Sequence, residues 1–263
     1  MISKNKQKLL RQLEHKKHRA ATGLFVAEGP KVVGDLLAIG PAETLIATEE
    51  WIAQHAEAKA KEWISVSDEE LHRISFLQHP QQVMATFALP SHEEDTEEAI
   101  HHITSELCLA LDSVQDPGNL GTIIRIADWF GIQHIYCSYD TADAYSPKVV
   151  QATMGSIARV QVNYTDLCQL VDQLPEGTPV YGTVLDGDDL YNTSLTPNGL
   201  MVMGNEGKGI SSAMASRLTH RLLIPPYPAG RATADSLNVA IATAVCCAEF
   251  RRRLNASFIV HRS

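Results

Sequence analysis

The sequence predicts an α/β protein, with a mostly parallel sheet in its C-terminal part and a smaller α/β unit before it. Three observations predict this. From residue 107 onward short apolar runs alternate with helix-like stretches, the rhythm of a parallel sheet covered on both faces. A polar, acidic stretch, PSHEEDTEEAIHHITSE (90–106), separates this region from a shorter strand-rich one. The chain has 263 residues, 44% apolar and 20% charged, enough for one large domain or two smaller ones with real cores. The expected division is a first domain over 1–90, a linker over 91–106 and a second domain over 107–263.

Residues 3–18 set Leu9, Leu10 and Leu13 among charges, which suits a short amphipathic helix. LFVAEG (24–29) reads as a strand. PKVVGDLLAIG (30–40) reads as a helix opened by Pro30 and closed by Gly40. TLIAT, WISVS and QVMATFAL read as further strands. In the linker, His101 and His102 are adjacent, and neighbours on a regular element do not easily chelate one ion. Both are read as linker histidines, and no metal is expected. Beyond the linker, LCLALD, HIYCS, RVQVNY, VYGTVL, LMVMG and RLLIP read as buried strands. Helices are expected over 119–130, 147–157, 165–174, 211–217 and 235–253. A sheet of this kind binds ligands at the C-terminal ends of its strands.

A formal net charge of −9 speaks against a nucleic-acid partner for the body of the chain. Its N-terminus differs. Lys4, Lys6, Lys8, Arg11, Lys16, Lys17 and Arg19 face only Glu14 within residues 1–19. Such a stretch is either a phosphate footprint or a solvated helix face, and charge alone does not decide. The five cysteines (108, 137, 168, 246, 247) contain no C-x-x-C pair, which suggests reduced thiols and a cytoplasmic protein. No apolar run approaches the roughly 20 residues of a membrane span. The N-terminus lacks the apolar core of a secretory signal.

Three stretches carry candidate chemistry. VMGNEGKGIS (202–211) is glycine-rich after a buried strand, yet it fits neither G-x-x-x-x-G-K-[ST] nor G-x-G-x-x-G. What remains is a tight helix entry, or a turn whose backbone approaches a flat ligand closely. DSVQDPGNLGTIIRIADWFGI (112–132) places Asn119 and Arg125 on a loop and first helix. Arg125, set among Ile123, Ile124, Ile126 and Ala127, is expected on the inner side, paired or phosphate-bound. In the third stretch, 222–253, Ser236 and Asn238 start an apolar helix whose polar N-terminus points at something.

N-L-G-x-I-x-R (119–125), M-G-N-E-G-x-G (203–209) and I-P…S-L-N-V-A-x-A (224–242), in this order, resemble the three motifs of SpoU-type, TrmH-like RNA ribose 2′-O-methyltransferases of the SPOUT class. The resemblance covers about 107–253. The stretch LFVAEGPKVV looks like part of the RNA substrate-binding domain carried by many of these enzymes.

The resemblance implies a deep trefoil knot, an S-adenosylmethionine cofactor, an RNA substrate and a homodimer. It further implies cofactor contacts from Gly204, Asn205, Gly207, Ile224 and Leu237, with Thr183 and Leu185 along the adenosine side. Asn119, Arg125, Glu206, Ser236 and Asn238 match the polar residues of the catalytic site. Lys4, Lys8, Arg11, Lys16, Lys17 and Arg19 become RNA-binding candidates. PYPAGRATAD (226–235) makes the loop between I-P and S-L-N longer than usual in the family, and Arg231 within it is read as a candidate for an added RNA contact. The leaving group of the cofactor is already activated, so the chemistry calls for orientation and hydroxyl activation, not for a metal. Ribosomal RNA fits a separate recognition domain better than transfer RNA. The competing reading is a non-catalytic RNA-binding or ribosome-assembly factor of the same fold.

Overall fold

The structure is a computed structural model and describes residues 2–91, 94–228 and 234–260, the side chains of 254–260 excepted. The chain divides into two units, Met1–His92 with Asp143–Ala158, and Glu93–Ala142 with Arg159–Ser263.

In the first unit, Ser3 caps α1 (Lys4–Gln12), accepting from the Lys6 amide at 3.2 Å. The single helix expected over 3–18 is instead two, α1 and α2 (Lys16–Thr22). Arg19 accounts for the break. Its guanidinium donates to the carbonyls of Leu13 and Glu14 at 2.6 and 2.7 Å, capping the end of α1, and to Asp143 at 2.6 Å. Then follow β1 (Leu24–Glu28), α3 (Pro30–Ile39), β2 (Ala42–Ala47), α4 (Glu49–Gln54), β3 (Ala60–Ser65), α5 (Asp68–Ile74) and β4 (Val83–Ala88). The sheet order is β1-β4-β2-β3, with β4 antiparallel to both neighbours and β2 parallel to β3. Leu10 and Leu13 bury with Val26, Ile46, Ile74 and Met84.

The second unit opens on α6 (Thr96–Ser105), where the sequence suggests a linker. The acidic run conceals a capping box. Asp95 accepts from the Glu98 amide at 2.9 Å, Glu98 reaches back to the Asp95 amide, and Ala99 and Ile103 bury against the core. After it come β5 (Leu107–Leu111), α7 (Pro117–Trp129) and β6 (His134–Cys137). The chain then passes through α8 (Pro147–Ala152) and a single 3-10 turn, Ser156–Ala158, both of the first unit. It returns with β7 (Gln161–Tyr164), α9 (Leu167–Asp172), β8 (Val180–Asp189), β9 (Gly199–Met203), α10 (Ser212–Ala215), β10 (His220–Leu223) and α11 (Val239–Val260). Helix α11 begins at Val239, not at 235, because Asn238 caps it.

All six strands of this sheet are parallel, in the order β10-β8-β9-β5-β6-β7. Every residue of β5 and β9 is buried, as the unbroken apolar runs require. Leu111 pairs with Met203 and Gly182 with Val202, so Asp112, Gly204 and Thr183 emerge together at the C-terminal edge. Between β8 and β10 the register jumps from Arg221↔Gly182 to Leu222↔Asp188, and residues 183–187 leave the ladder there. Helices α7 and α11 pack side by side in the same direction. Asn238 meets Asn119 at one end, and Arg251 donates to the Phe130 and Gly131 carbonyls at the other. Among the described residues no helix is long and apolar enough to cross a membrane.

Arg19 is only 3% exposed, and Arg19→Ala would leave two carbonyls and Asp143 without their donor. We expect a stability loss of about 3 kcal/mol, read as a lower urea midpoint with unchanged slope. Exposed Lys17→Ala should leave the midpoint in place.

Candidate functional site

The C-terminal edge of the parallel sheet brings the three motif stretches together. Asp116 caps α7, accepting from the Asn119 amide at 2.8 Å, with Pro117 at the first helical position. The Glu206 carboxylate, from the loop after β9, accepts from the amides of Gln115 and Asp116 at 3.4 and 3.1 Å and from Asn119 Nδ2 at 3.0 Å. A carboxylate only accepts, so the Asn119 amide must turn its nitrogen to Glu206 and its oxygen away. That oxygen accepts from Asn238 Nδ2 at 2.9 Å. Asn238 Oδ1 is thereby left to accept from the amides of Ala240 and Ile241 at 2.9 and 3.3 Å, opening α11. One carboxylate thus orients a relay through all three stretches.

Burial pushes the Glu206 carboxyl up. The hydrogen bonds from Asn119 and from backbone amides outweigh it, and the group is held below the usual glutamate range. It is therefore ionised at neutral pH, as the relay requires.

A second set of bonds shapes the loop itself. Asn205 and Gly209 exchange two backbone hydrogen bonds of 2.9 Å, and Asn205 Oδ1 accepts from the Gly207 and Lys208 amides. Asn205 Nδ2 reaches the Ser113 carbonyl at 2.7 Å, and Asp112 accepts from the Ser211 amide at 2.7 Å. Ser113 sits in the left-handed region at φ 63, held by Ser138 and Asp140. Asp112, Ser113 and Asp116 escaped the sequence reading, although Asp-Pro ahead of an apolar helix is a recognisable cap.

Gly204 has a different reason to be glycine from the one the sequence suggests. A Cβ there would lie 2.2 Å from both the Gly209 carbonyl carbon and the Ile210 nitrogen. The loop's own backbone excludes a side chain before any ligand does. At Gly207 the nearest atom to such a Cβ is Asn205 Oδ1 at 3.8 Å.

Arg125 also departs from expectation. It is exposed, on a stripe with Thr122 and Trp129, while Leu120, Ile123, Ile124 and Ala127 take the buried face. Adjacent helical residues point about 100° apart, so a flanking isoleucine does not bring an arginine inside. No carboxylate holds its guanidinium among the described residues. Ser236 and Leu237 are exposed ahead of α11, and Ile224 is half-buried after β10. Thr183 Oγ1 lies 3.8 Å from Met203 Sδ, and Leu185, within the extruded segment of β8, is 74% exposed. In the first unit, Lys4, Lys8, Arg11, Lys16 and Lys17 are exposed, with Arg11 donating to the Arg73 carbonyl. Arg19 is withdrawn from the RNA-binding candidates, since burial and three hydrogen bonds hold it inside. Arg231 lies outside the described residues.

Comparison with known proteins gives a consistent picture. Residues 106–248 match the SpoU rRNA Methylase family, and residues 4–85 match the MRM3-like substrate binding domain. The chain is 32% identical over 240 residues to the 23S rRNA (guanosine(2553)-2′-O)-methyltransferase RlmP of Bacillus subtilis, covering 89% of this chain and 91% of that protein. A TrmH-family protein from Porphyromonas gingivalis superposes with TM-score 0.84 at 41% identity, covering 96% and 99% of the two chains. An AdoMet-bound rRNA methyltransferase from Sinorhizobium meliloti superposes with TM-score 0.83 at 33% identity, covering 97% of each.

The glycine geometry generates a contrast. Gly204→Ala should cost about 2–4 kcal/mol in chemical denaturation, because backbone must shift to admit it. Gly207→Ala should cost less than about 1 kcal/mol. Equal losses at the two positions would contradict this account of the loop.

Proposed function

This chain belongs to the SpoU rRNA methylase family, and on that premise we propose that it transfers a methyl group from S-adenosylmethionine to a ribose 2′-hydroxyl of ribosomal RNA. The observation that carries the proposal is the relay from Glu206 through Asn119 to Asn238. It pins all three motif stretches at the edge of a parallel sheet, where ligands of such sheets bind.

The local structure fits the cofactor. The glycines of the 204–209 turn leave its backbone open to a flat ligand, and Leu185, Ile224 and Leu237 would add apolar contact from the segments at the ends of β8 and β10 and ahead of α11. Gly204, Asn205 and Gly207 would hold the cofactor by backbone, with Thr183 on the adenosine side. When bound, S-adenosylmethionine supplies a methyl group on a sulfonium, a leaving group that needs no further activation.

What the protein must add is a positioned hydroxyl that can lose its proton. Arginine does not deprotonate in proteins, so Arg125 does not act as the base. Its exposed guanidinium suits the phosphate next to the target ribose and the alkoxide that develops there. Asn119 and Asn238 set the position of the hydroxyl, Ser236 borders it, and Glu206 keeps both amides in register. The proton passes to the bound phosphate or to water. Lys4, Lys8, Arg11, Lys16 and Lys17 give the first unit a cationic strip for RNA phosphates. The five free thiols suit the reducing cytoplasm.

Two further features belong to the same reading. The trefoil knot rests on the family to which the chain belongs, and the hydrogen bonds that hold 204–211 and 236–241 to the 112–119 loop are compatible with it. A homodimer is supported by Trp129 on α7 and Ile241 on α11, 85% and 53% exposed on two helices that pack together.

Arg125→Ala should lower methyl transfer about 100-fold, corresponding to roughly 3 kcal/mol of transition-state stabilisation. Arg125→Lys should remain badly impaired, because it lacks the planar fork. Calorimetry with S-adenosylhomocysteine should give near wild-type affinity for both. Near-normal transfer by the folded alanine variant would overturn the role. For assembly, light scattering should report a dimer for the wild type and a monomer for Trp129→Glu.

A further inference from the structure

The segment read from sequence as a linker contains a side-chain cluster that the methyl-transfer reading leaves unused. Glu94 lies just ahead of α6, with its side chain 3% exposed. His102 comes from the last turn of α6 and His134 from the first position of β6. His102 Nδ1 is 2.5 Å from Glu94 Oε1, and His134 Nδ1 is 3.6 Å from the same oxygen. The two imidazoles stack at 3.7 Å, which turns both Nδ1 atoms towards the carboxylate. Tyr136 donates to Glu94 Oε1 at 3.1 Å and Asn163 donates to Glu94 Oε2, so the carboxylate is fixed from the sheet side.

His134 is the anomaly. Its side chain is 6% exposed, and its Nδ1 is buried without a hydrogen-bond partner. Each protonation state leaves a mismatch. With the proton on Nε2, that nitrogen faces Glu106 Oε1 at 3.4 Å, while a bare Nδ1 lone pair meets an acceptor-only carboxylate. With the proton on Nδ1, the distance of 3.6 Å to Glu94 is too long for a hydrogen bond, and the Nε2 lone pair meets Glu106. With both nitrogens protonated, His134 itself becomes a buried cation stacked against another imidazole.

A cation removes the conflict. One coordinating atom each from Glu94, His102 and His134 already lie within 4.8 Å of one another. Tetrahedral zinc takes imidazole nitrogen and carboxylate oxygen at about 2.0–2.2 Å, a set that small side-chain movements would reach. Glu106 beside His134 Nε2 is then the carboxylate that holds a ligating imidazole in its tautomer. We propose that Glu94, His102 and His134 form a binding site for a divalent zinc-class metal ion, with water as the fourth ligand. The site lies at the N-terminal end of β6, at the opposite end of the strands from the motif loops, so its role is to fasten α6 and its lead-in to the sheet. The adjacent His101 takes no part. The ligands come from Glu94 and from a distant strand, which the spacing of the two neighbouring histidines does not reveal.

The test uses the full-length protein, stripped with chelator and dialysed. Titration with Zn²⁺ by calorimetry should show one equivalent bound, and Co²⁺ should give the intense visible absorption of a tetrahedral site. Zinc should raise Tm by about 4 °C or more. His134→Ala and Glu94→Gln should each weaken binding more than tenfold, while His101→Ala should bind as the wild type does. The proposal is overturned if the wild type, which needs no variant to fold, takes up no stoichiometric metal. It is equally overturned if His134→Ala binds normally, or if His101→Ala loses binding as His134→Ala does.

Discussion

The geometry of the candidate site depends on the inability of one group to donate a hydrogen bond. Ionised Glu206 accepts two backbone amides and the Asn119 side chain. Because nothing on the carboxylate can be reversed, the Asn119 amide has a single orientation, and Asn238 inherits its own from Asn119. An asparagine pair alone would be ambiguous, since each amide could turn over and exchange roles. The carboxylate breaks that symmetry. Three loops far apart in sequence acquire one registry from one charged group, and the hydrogen bonds that fix it also keep the group ionised.

The rigid parts of the second unit serve this arrangement. Strands β5 and β9 lie side by side in the sheet, fully buried, and deliver Asp112 and Gly204 to adjacent positions. Helices α7 and α11 then act as a paired support. Asn119 and Asn238 join their starts, and Arg251 ties the end of α7 through two carbonyls. The loop of 204–209 is consequently pre-shaped from both sides. Its tightest contact, at Gly204, is internal to the turn.

Much of this was legible in the sequence, and the failures have identifiable physical causes. The parallel sheet was readable because strands buried on both faces must be continuously apolar, and LCLAL and GLMVM are. The three motif stretches were readable in their order and in their association. The orientation of Arg125 was not, because apolar neighbours in sequence say little about which way a helical residue faces. Arg19 looked like one cation among seven, but its role depends on carbonyls freed by a helix end and on Asp143, far along the chain. Helix α6 was obscured because Asp95 and Glu98 are equally natural in a solvated acidic linker and in a capping box. Gly204 was singled out for a ligand, and the sequence does not reveal that the turn's own backbone already excludes a side chain there.

The allocation of Asp143–Ala158 to the first unit bears on how such proteins can be recombined. A boundary drawn near residue 106 suggests two modules that evolution or an engineer could exchange by one cut. In this chain one such cut would part residues that pack together. Ala144, Val149, Val150 and Ile157 are buried, and they belong with a sheet encoded more than fifty positions upstream. A catalytic half grafted onto another recognition module would carry this segment without its packing surface, exposing apolar side chains in the middle of its own sequence. Conversely, a recognition half cut out alone would lose the helix α8 and, with Asp143, the carboxylate that Arg19 requires. An exchange that keeps this packing must therefore replace two separated stretches together.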